Sequence, residues 1–219
     1  DLDKSLNNIR IVTKMSSDEM ANFAQQATRA AKTLGVATTD YTDAALIYYQ
    51  QGLTTEQASE RARITSQVSN VTGQSTEAVS EQLTSLWNGY QVALEDSELY
   101  VDKLAAVAAA SASDLEELST GMSKVASSAN AMGVSADQLA ATLSTIISVT
   151  RQAPESVGTA LKTIYARMAD IESGEDDETS LGNYTAEMAN LGINVLNAEG
   201  KLRDMGEVIE EVGSKWTKF

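Results

Sequence analysis

The spacing of apolar residues leaves this chain little choice of secondary structure. Met20, Phe23, Ala24, Ala27, Ala31 and Leu34 recur at intervals of three and four, so they line one face of a helix over about 17–34 and would scatter over both faces of a strand. Equivalent stripes follow. They are Val79, Leu83, Leu86, Trp87 and Tyr90; Leu115, Leu118, Met122, Val125, Ala129 and Met132; Leu139, Leu143, Ile146 and Ile147; and Val157, Leu161, Ile164, Tyr165, Met168 and Ile171. Weaker stripes place further helices near 39–51, 54–71 and 98–110.

The breaks between stripes are short and carry helix-start chemistry. Ser17-Asp18, Thr38-Thr39-Asp40, Thr54-Thr55-Glu56, Ser113-Asp114, Ser135-Ala136-Asp137 and Pro154-Glu155 each put an acceptor, a carboxylate or a proline where free N–H groups and the helix dipole favour it. Gly35, Gly52, Gly73 and Gly133 stand where helices should stop. Connections this short turn each helix back on the one before it. The expected fold is therefore all-α, a stack of antiparallel helical hairpins.

The punctuation also recurs. Ser17-Asp18 returns as Ser113-Asp114, Leu34-Gly35-Val36 as Met132-Gly133-Val134, and Thr55-Glu56 as Pro154-Glu155. Shared helix caps could produce such matches by chance. The reading adopted is a helical core over 1–173 made of two related units, about 17–96 and 113–173, the second truncated.

Beyond Ile171 the pattern changes. Residues 172–178 hold five carboxylates in seven positions, so 174–180 reads as an acidic linker. A small unit follows over 181–219. Leu191-Gly192 closes a short helix, Ile193–Leu196 and Lys201–Arg203 read as strands of a small β-hairpin around Asn197-Ala198-Glu199-Gly200, and Asp204 opens a last helix ending near Trp216.

Composition removes most catalytic chemistry. The 219 residues include no His and no Cys, which excludes an imidazole base, a thiol nucleophile, thiolate or imidazole metal sites and disulfides. With 31 acidic against 16 basic residues the net charge is −15, which opposes binding to a phosphate backbone. The longest apolar run, Leu104–Ala110, falls far short of the roughly 20 residues needed to cross a bilayer. Ala, Ser and Thr number 31, 23 and 21, so the core must be thin and its helices close together. The chain opens at Asp1 without an initiator Met and stops at Phe219, which reads as a piece of something longer.

The remaining candidates for chemistry each have a plainer reading. Glu175–Glu178 lacks the alternating ligands, central Gly and closing Glu of a calcium loop, and reads as solvated linker. Glu116-Glu117 and Glu210-Glu211 are adjacent on helices, so their side chains diverge by about 100° and read as solvated faces. No Gly-x-Ser-x-Gly elbow or phosphate loop is present. Asn70-Val71-Thr72 and Asn183-Tyr184-Thr185 match a glycosylation triplet that arises often by chance. Trp87 and Trp216 sit on apolar stripes and are expected to anchor the core. No catalytic, cofactor-binding or metal-ligating residue is assigned, no cofactor is expected, and the chain is not expected to be an enzyme.

Order and spacing then carry a resemblance over nearly the whole chain. The stretch LGINVLNAEGKLRDMGEVIEEVGSKW (191–216), preceded by SDEMANFAQQATRAAKTLGVATTDYTDAALIYYQQGLTTEQA (17–58), SASDLEELSTGMSKVASSANAMGVSADQLAATLSTI (111–146) and SVGTALKTIYARM (156–168), resembles the conserved core region of phage tail tape measure proteins. Departures are local: Trp87-Asn88-Gly89-Tyr90 stands where the family often has an Ala-Phe-Gly-type break, and Arg151-Gln152-Ala153-Pro154 replaces a more Gly-rich turn.

The resemblance implies a structural virion protein in the interior of the tail, present in the host cytoplasm during assembly, that helps set tail length and nucleate tube assembly. It implies as partners the tail tube protein, tail tip or baseplate proteins, tail assembly chaperones and other copies of itself, without direct nucleic acid binding by this segment. The competing reading is a helical dimerising adaptor or signalling module. The terminal hairpin unit and the lack of long unbroken heptads separate the two. A cell-wall hydrolase fragment is a third reading, opposed by the absence of His, Cys and any convergent carboxylate pair.

Overall fold

The computed structural model describes residues 2–173, 188–201 and 203–216. Helices dominate them: α1 (Leu2–Thr13), α2 (Ser17–Leu34), α3 (Thr38–Gln50), α4 (Thr55–Thr72), α5 (Thr76–Gly89), α6 (Ser97–Ala109), α7 (Leu115–Ala131), α8 (Ala136–Thr150), α9 (Pro154–Ser173) and α10 (Met205–Trp216). A 3-10 turn, Leu94–Asp96, precedes α6. The all-α expectation holds, and the weaker stripes near 39–51, 54–71 and 98–110 correspond to α3, α4 and α6. The sequence reading had no helix before residue 17; α1 is an addition, held by Ile9, which is buried against a bundle that includes α3.

Capping explains most boundaries. Ser16, Thr54, Asp114 and Ser135 each accept from the backbone N–H three residues on, and Glu19, Gln57, Glu117 and Gln138 return the bond to complete capping boxes. At α3 the N-cap is Ala37, without a side-chain cap, so the Thr38-Thr39-Asp40 signal acts from inside the first turn. Gly35 and Gly73 close α2 and α4 with φ of 71° and 75°, a left-handed turn that costs glycine nothing.

The chain divides into two compact units, 1–106 and 107–219. In the first, α3 is the central helix, packed by α1, α2, α4 and α5. That position explains its composition: Tyr41, Thr42, Ala44, Ala45, Tyr48 and Tyr49 are all buried, on more than one face. Alanines at 27 and 31 of α2 and at 58 and 62 of α4 are also buried, the narrow contacts that a small-residue sequence permits. Polar ties join the same helices. Tyr41 Oη donates to Ser59 O at 3.0 Å, and Asn70 Nδ2, of the first glycosylation-like triplet, donates to Leu34 O at 3.2 Å.

In the second unit, α7 packs most extensively on α9, with α8 against both. Leu118, Met122, Val125, Leu139, Leu143, Ile147, Leu161 and Tyr165 fill the core, as the stripes require. Ile164 departs from its stripe and is 42% exposed, because its place in the α9 repeat falls at the edge of the buried arc. Across the described residues of both units, the extensive contacts between helices join an element to the next one or the next but one.

The β-hairpin near the C-terminus needs correction. Among the described residues no strand forms; Leu196 takes part in a single bridge. Asn197 N–H donates to Lys201 O at 2.7 Å and Arg203 N–H to Val195 O at 2.9 Å, while Asn197 Oδ1 accepts from the backbone of Glu199 and Lys201. The period-two signal was real, since Ile193 and Val195 are buried and Asn194 is exposed. It describes a short extended segment docked by alternate side chains, with a side-chain-stapled turn in place of a ladder. The acidic linker 174–180, the calcium-loop candidate Glu175–Glu178 and Asn183 lie outside the described residues.

Candidate functional site

The aromatic expectation at position 87 leads to the most distinctive cluster of the first unit. Trp87 is fully buried on α5, its Nε1 donates to Ser97 O at 3.1 Å, and its ring lies 6.2 Å from that of Tyr48 on α3. Tyr48 Oη and Thr65 Oγ1 share a buried hydrogen bond of 2.6 Å, and burial pushes the phenol above its ordinary pKa. Over the Trp87 ring sits Arg61 of α4, its guanidinium carbon 4.6 Å from the ring centroid.

Arg61 and Arg63 lie two residues apart on α4 and live differently. Arg63 bonds Glu60 and Glu98, each at 2.7 Å, which holds its pKa above the ordinary guanidinium value and that of Glu60 below the carboxylate range. Arg61 pairs with no carboxylate among the described residues, its Nε is buried without a hydrogen-bond partner, and burial pulls its pKa down.

Two cavities adjoin the connection between α3 and α4. A cleft of about 660 Å³ is lined by Lys14, Met15, Phe23, Tyr49, Leu53 and Thr55 among others, and the Tyr49 hydroxyl is buried beside it without a partner. A smaller cavity of about 310 Å³ is lined by Leu53, Gln57, Arg61, Val92, Ala93 and Leu94. Gly52 and Leu53 line both. The larger presents hydroxyls, amides, Lys14 and the Glu19 carboxylate beside Val12, Met15, Phe23 and Leu53, and the smaller presents Gln57 and Arg61 beside Leu53, Val92, Ala93 and Leu94, mixed surfaces of the kind that hold a polypeptide.

The other residues singled out from sequence have structural roles or fall outside the description. Glu117 completes the α7 capping box. Glu211 is not merely solvated: it bonds Arg203 Nη1 and Lys215 Nζ, each at 2.7 Å, and Lys215 also reaches Gly192 O. That network ties α10 to the docked segment and lowers the Glu211 pKa through Lys215 and Arg203. The Trp216 side chain lies outside the description, and among the described residues no three or more acidic side chains gather as a metal site would require. Arg61 was missed by the sequence reading. The available signal was a basic residue on the Ala58/Ala62 side of a helix, without an acidic residue three or four positions before it.

These units define a helical packing module that offers surface and clefts. The model of the family described as phage-related minor tail protein matches residues 13–219, and the chain belongs to that family. It is accordingly a structural phage tail protein, a component of the virion. No solved structure matches it.

Proposed function

We propose that this chain is the core region of a tail tape measure protein and acts by assembly, with no catalysis of its own. Its place is the interior of the tail, reached from the host cytoplasm during assembly, and its partners are the tube protein, tip or baseplate proteins, tail assembly chaperones and further copies of itself. Family membership and the ordered resemblance over 17–216 support this reading.

One observation carries the mechanistic part. A single helix of 219 residues would span about 330 Å, whereas the longest described helix, α9, has 20 residues and spans about 30 Å. The chain is built of short capped helices in two compact units. A ruler uses length, so this segment serves as a docking or nucleating unit beside the extended part of the parent.

Deleting residues 17–173 from the parent tests it. Blocked or misinitiated tails are expected, whereas deleting a long continuous helix elsewhere should give intact tails shortened in proportion. Electron micrographs showing normal tails, shorter by about 1.5 Å per residue removed, would make this segment ordinary tape. A turbidity assay on bacterial walls should show no clearing; clearing would revive the hydrolase reading.

A further inference from the structure

Arg61 combines features that packing alone leaves unexplained. The chain carries 31 acidic residues against 16 basic ones, and Arg63 two positions away holds two carboxylates, yet none of the described carboxylates meets Arg61. A half-buried cation without a counter-ion is costly. The Trp87 face offsets part of that cost and fixes the plane of the guanidinium.

Geometry limits what the free edge can do. Nε is buried without a partner, so a ligand meets the guanidinium end-on, as a planar two-oxygen acceptor does. The adjoining cavity of about 310 Å³ adds the Gln57 amide and the apolar walls of Leu53, Val92, Ala93 and Leu94. Its size is at the low end of ligand pockets, enough for a side chain and its immediate neighbours. A polyanion is disfavoured by the net charge of −15, and at this cleft a partner of low net charge meets less repulsion than a second copy of the same chain would.

We propose that the Arg61 cleft takes the carboxylate of a glutamate or aspartate side chain, presented between small apolar residues on a different polypeptide of low net charge. The carboxylate forks onto Nη1 and Nη2, and its neighbours pack on Leu53 and Val92–Leu94. This inference needs only the first unit and stands or falls apart from the tape measure reading.

The test uses the whole 219-residue chain. It is exposed to a pool of hexapeptides with a central Glu and flanks drawn from Ala, Val and Leu, and to the same pool with Gln in place of Glu. Capture of the Glu pool is expected to exceed the Gln pool by about tenfold, the worth of one charge-assisted bond. Arg61→Met should abolish the preference while thermal unfolding remains cooperative. Should that variant fail to fold, the Nε–H resonance of Arg61 in the unaltered chain decides: it should shift with Glu peptides and stay fixed with Gln peptides. Equal capture of the two pools, a Glu preference that survives Arg61→Met, or a resonance unmoved by Glu peptides would overturn the proposal.

Discussion

The carbonyl oxygen of Gly121 in α7 occupies the space where a side chain on Gly158 in α9 would begin, so a Cβ added at Gly158 would overlap it outright. Lys124 Cβ lies 3.1 Å from the same point. On the other helix, a Cβ at Gly121 would meet Leu143 Cδ2 at 3.2 Å and Pro154 O at 3.4 Å. The two backbones touch, and α8 closes on the crossing. Glycine inside a helix costs about 1 kcal/mol relative to alanine, which close packing of α7 on α9 must offset.

Gly158→Ala should therefore destabilise the second unit by about 1–3 kcal/mol despite the better helix propensity of alanine. Gly121→Ala should cost less, because the Leu143 side chain can rotate away where a backbone oxygen cannot. Urea midpoints check both, and a stabilised Gly158→Ala chain would mean that the helices do not meet there.

Leu143 and Leu161 are 0% and 4% exposed, so truncation of either to alanine should lower stability by about 2–5 kcal/mol. Ile164→Ala is the control. At 42% exposure it should change stability by less than about 1 kcal/mol. Unfolding curves that failed to separate the three variants would show that the stripes do not face a common core.

The Tyr48–Thr65 hydrogen bond should behave as a coupled pair. Tyr48→Phe or Thr65→Val alone leaves a buried hydroxyl without its partner, an effect of about 1–3 kcal/mol, while the double variant should cost less than the sum. Additive single effects in a double-mutant cycle would reject the coupling.

Acid should release the docked residues 193–201 and Arg203 locally. The Glu211 pKa is lowered by Lys215 and then Arg203, so its contribution is present above the ordinary carboxylate pKa and disappears as pH falls through the folded value; Glu207 lies near the same Arg203. Falling pH also relieves the −15 self-repulsion, which favours folding, so the readout must be local. Amide protection at Ile193 and Arg203, compared with the helices of the first unit, should drop as pH falls through that range. Glu211→Gln should remove the pH dependence, and a drop that persists in this variant would assign it elsewhere.

Millimolar Ca²⁺ should leave the melting temperature unchanged, because a loop without alternating ligands and a closing Glu binds poorly. A rise of many degrees would return attention to Glu175–Glu178.

What could be read from sequence depended on how many sides of a helix are buried. α7 and α8 each bury one arc, and Leu118, Met122, Val125, Leu139 and Leu143 announced it. Helix α3 gave only a weak stripe because four helices surround it, and burial on several faces erases periodicity. The glycine crossing was visible in principle, since Gly121 and Gly158 interrupt strong helical runs where a capping role is impossible, a pattern that asks for a packing reason. Arg61 was harder. Its identity is in the sequence, but the absence of a partner carboxylate is a fact of three dimensions.

Among the described residues the extensive contacts join neighbouring and next-but-one elements, and this bears on how the chain is made. Such a pattern keeps sequence separation small, and proteins of that kind fold in microseconds to milliseconds. A ribosome adds roughly 5–20 residues each second. The bundle of α1–α5 can thus close while later helices are still being translated, with no need to wait for a distant segment. In a polypeptide bound for a filamentous assembly, early closure hides the Phe23, Tyr48 and Trp87 rings before neighbouring nascent chains can reach them.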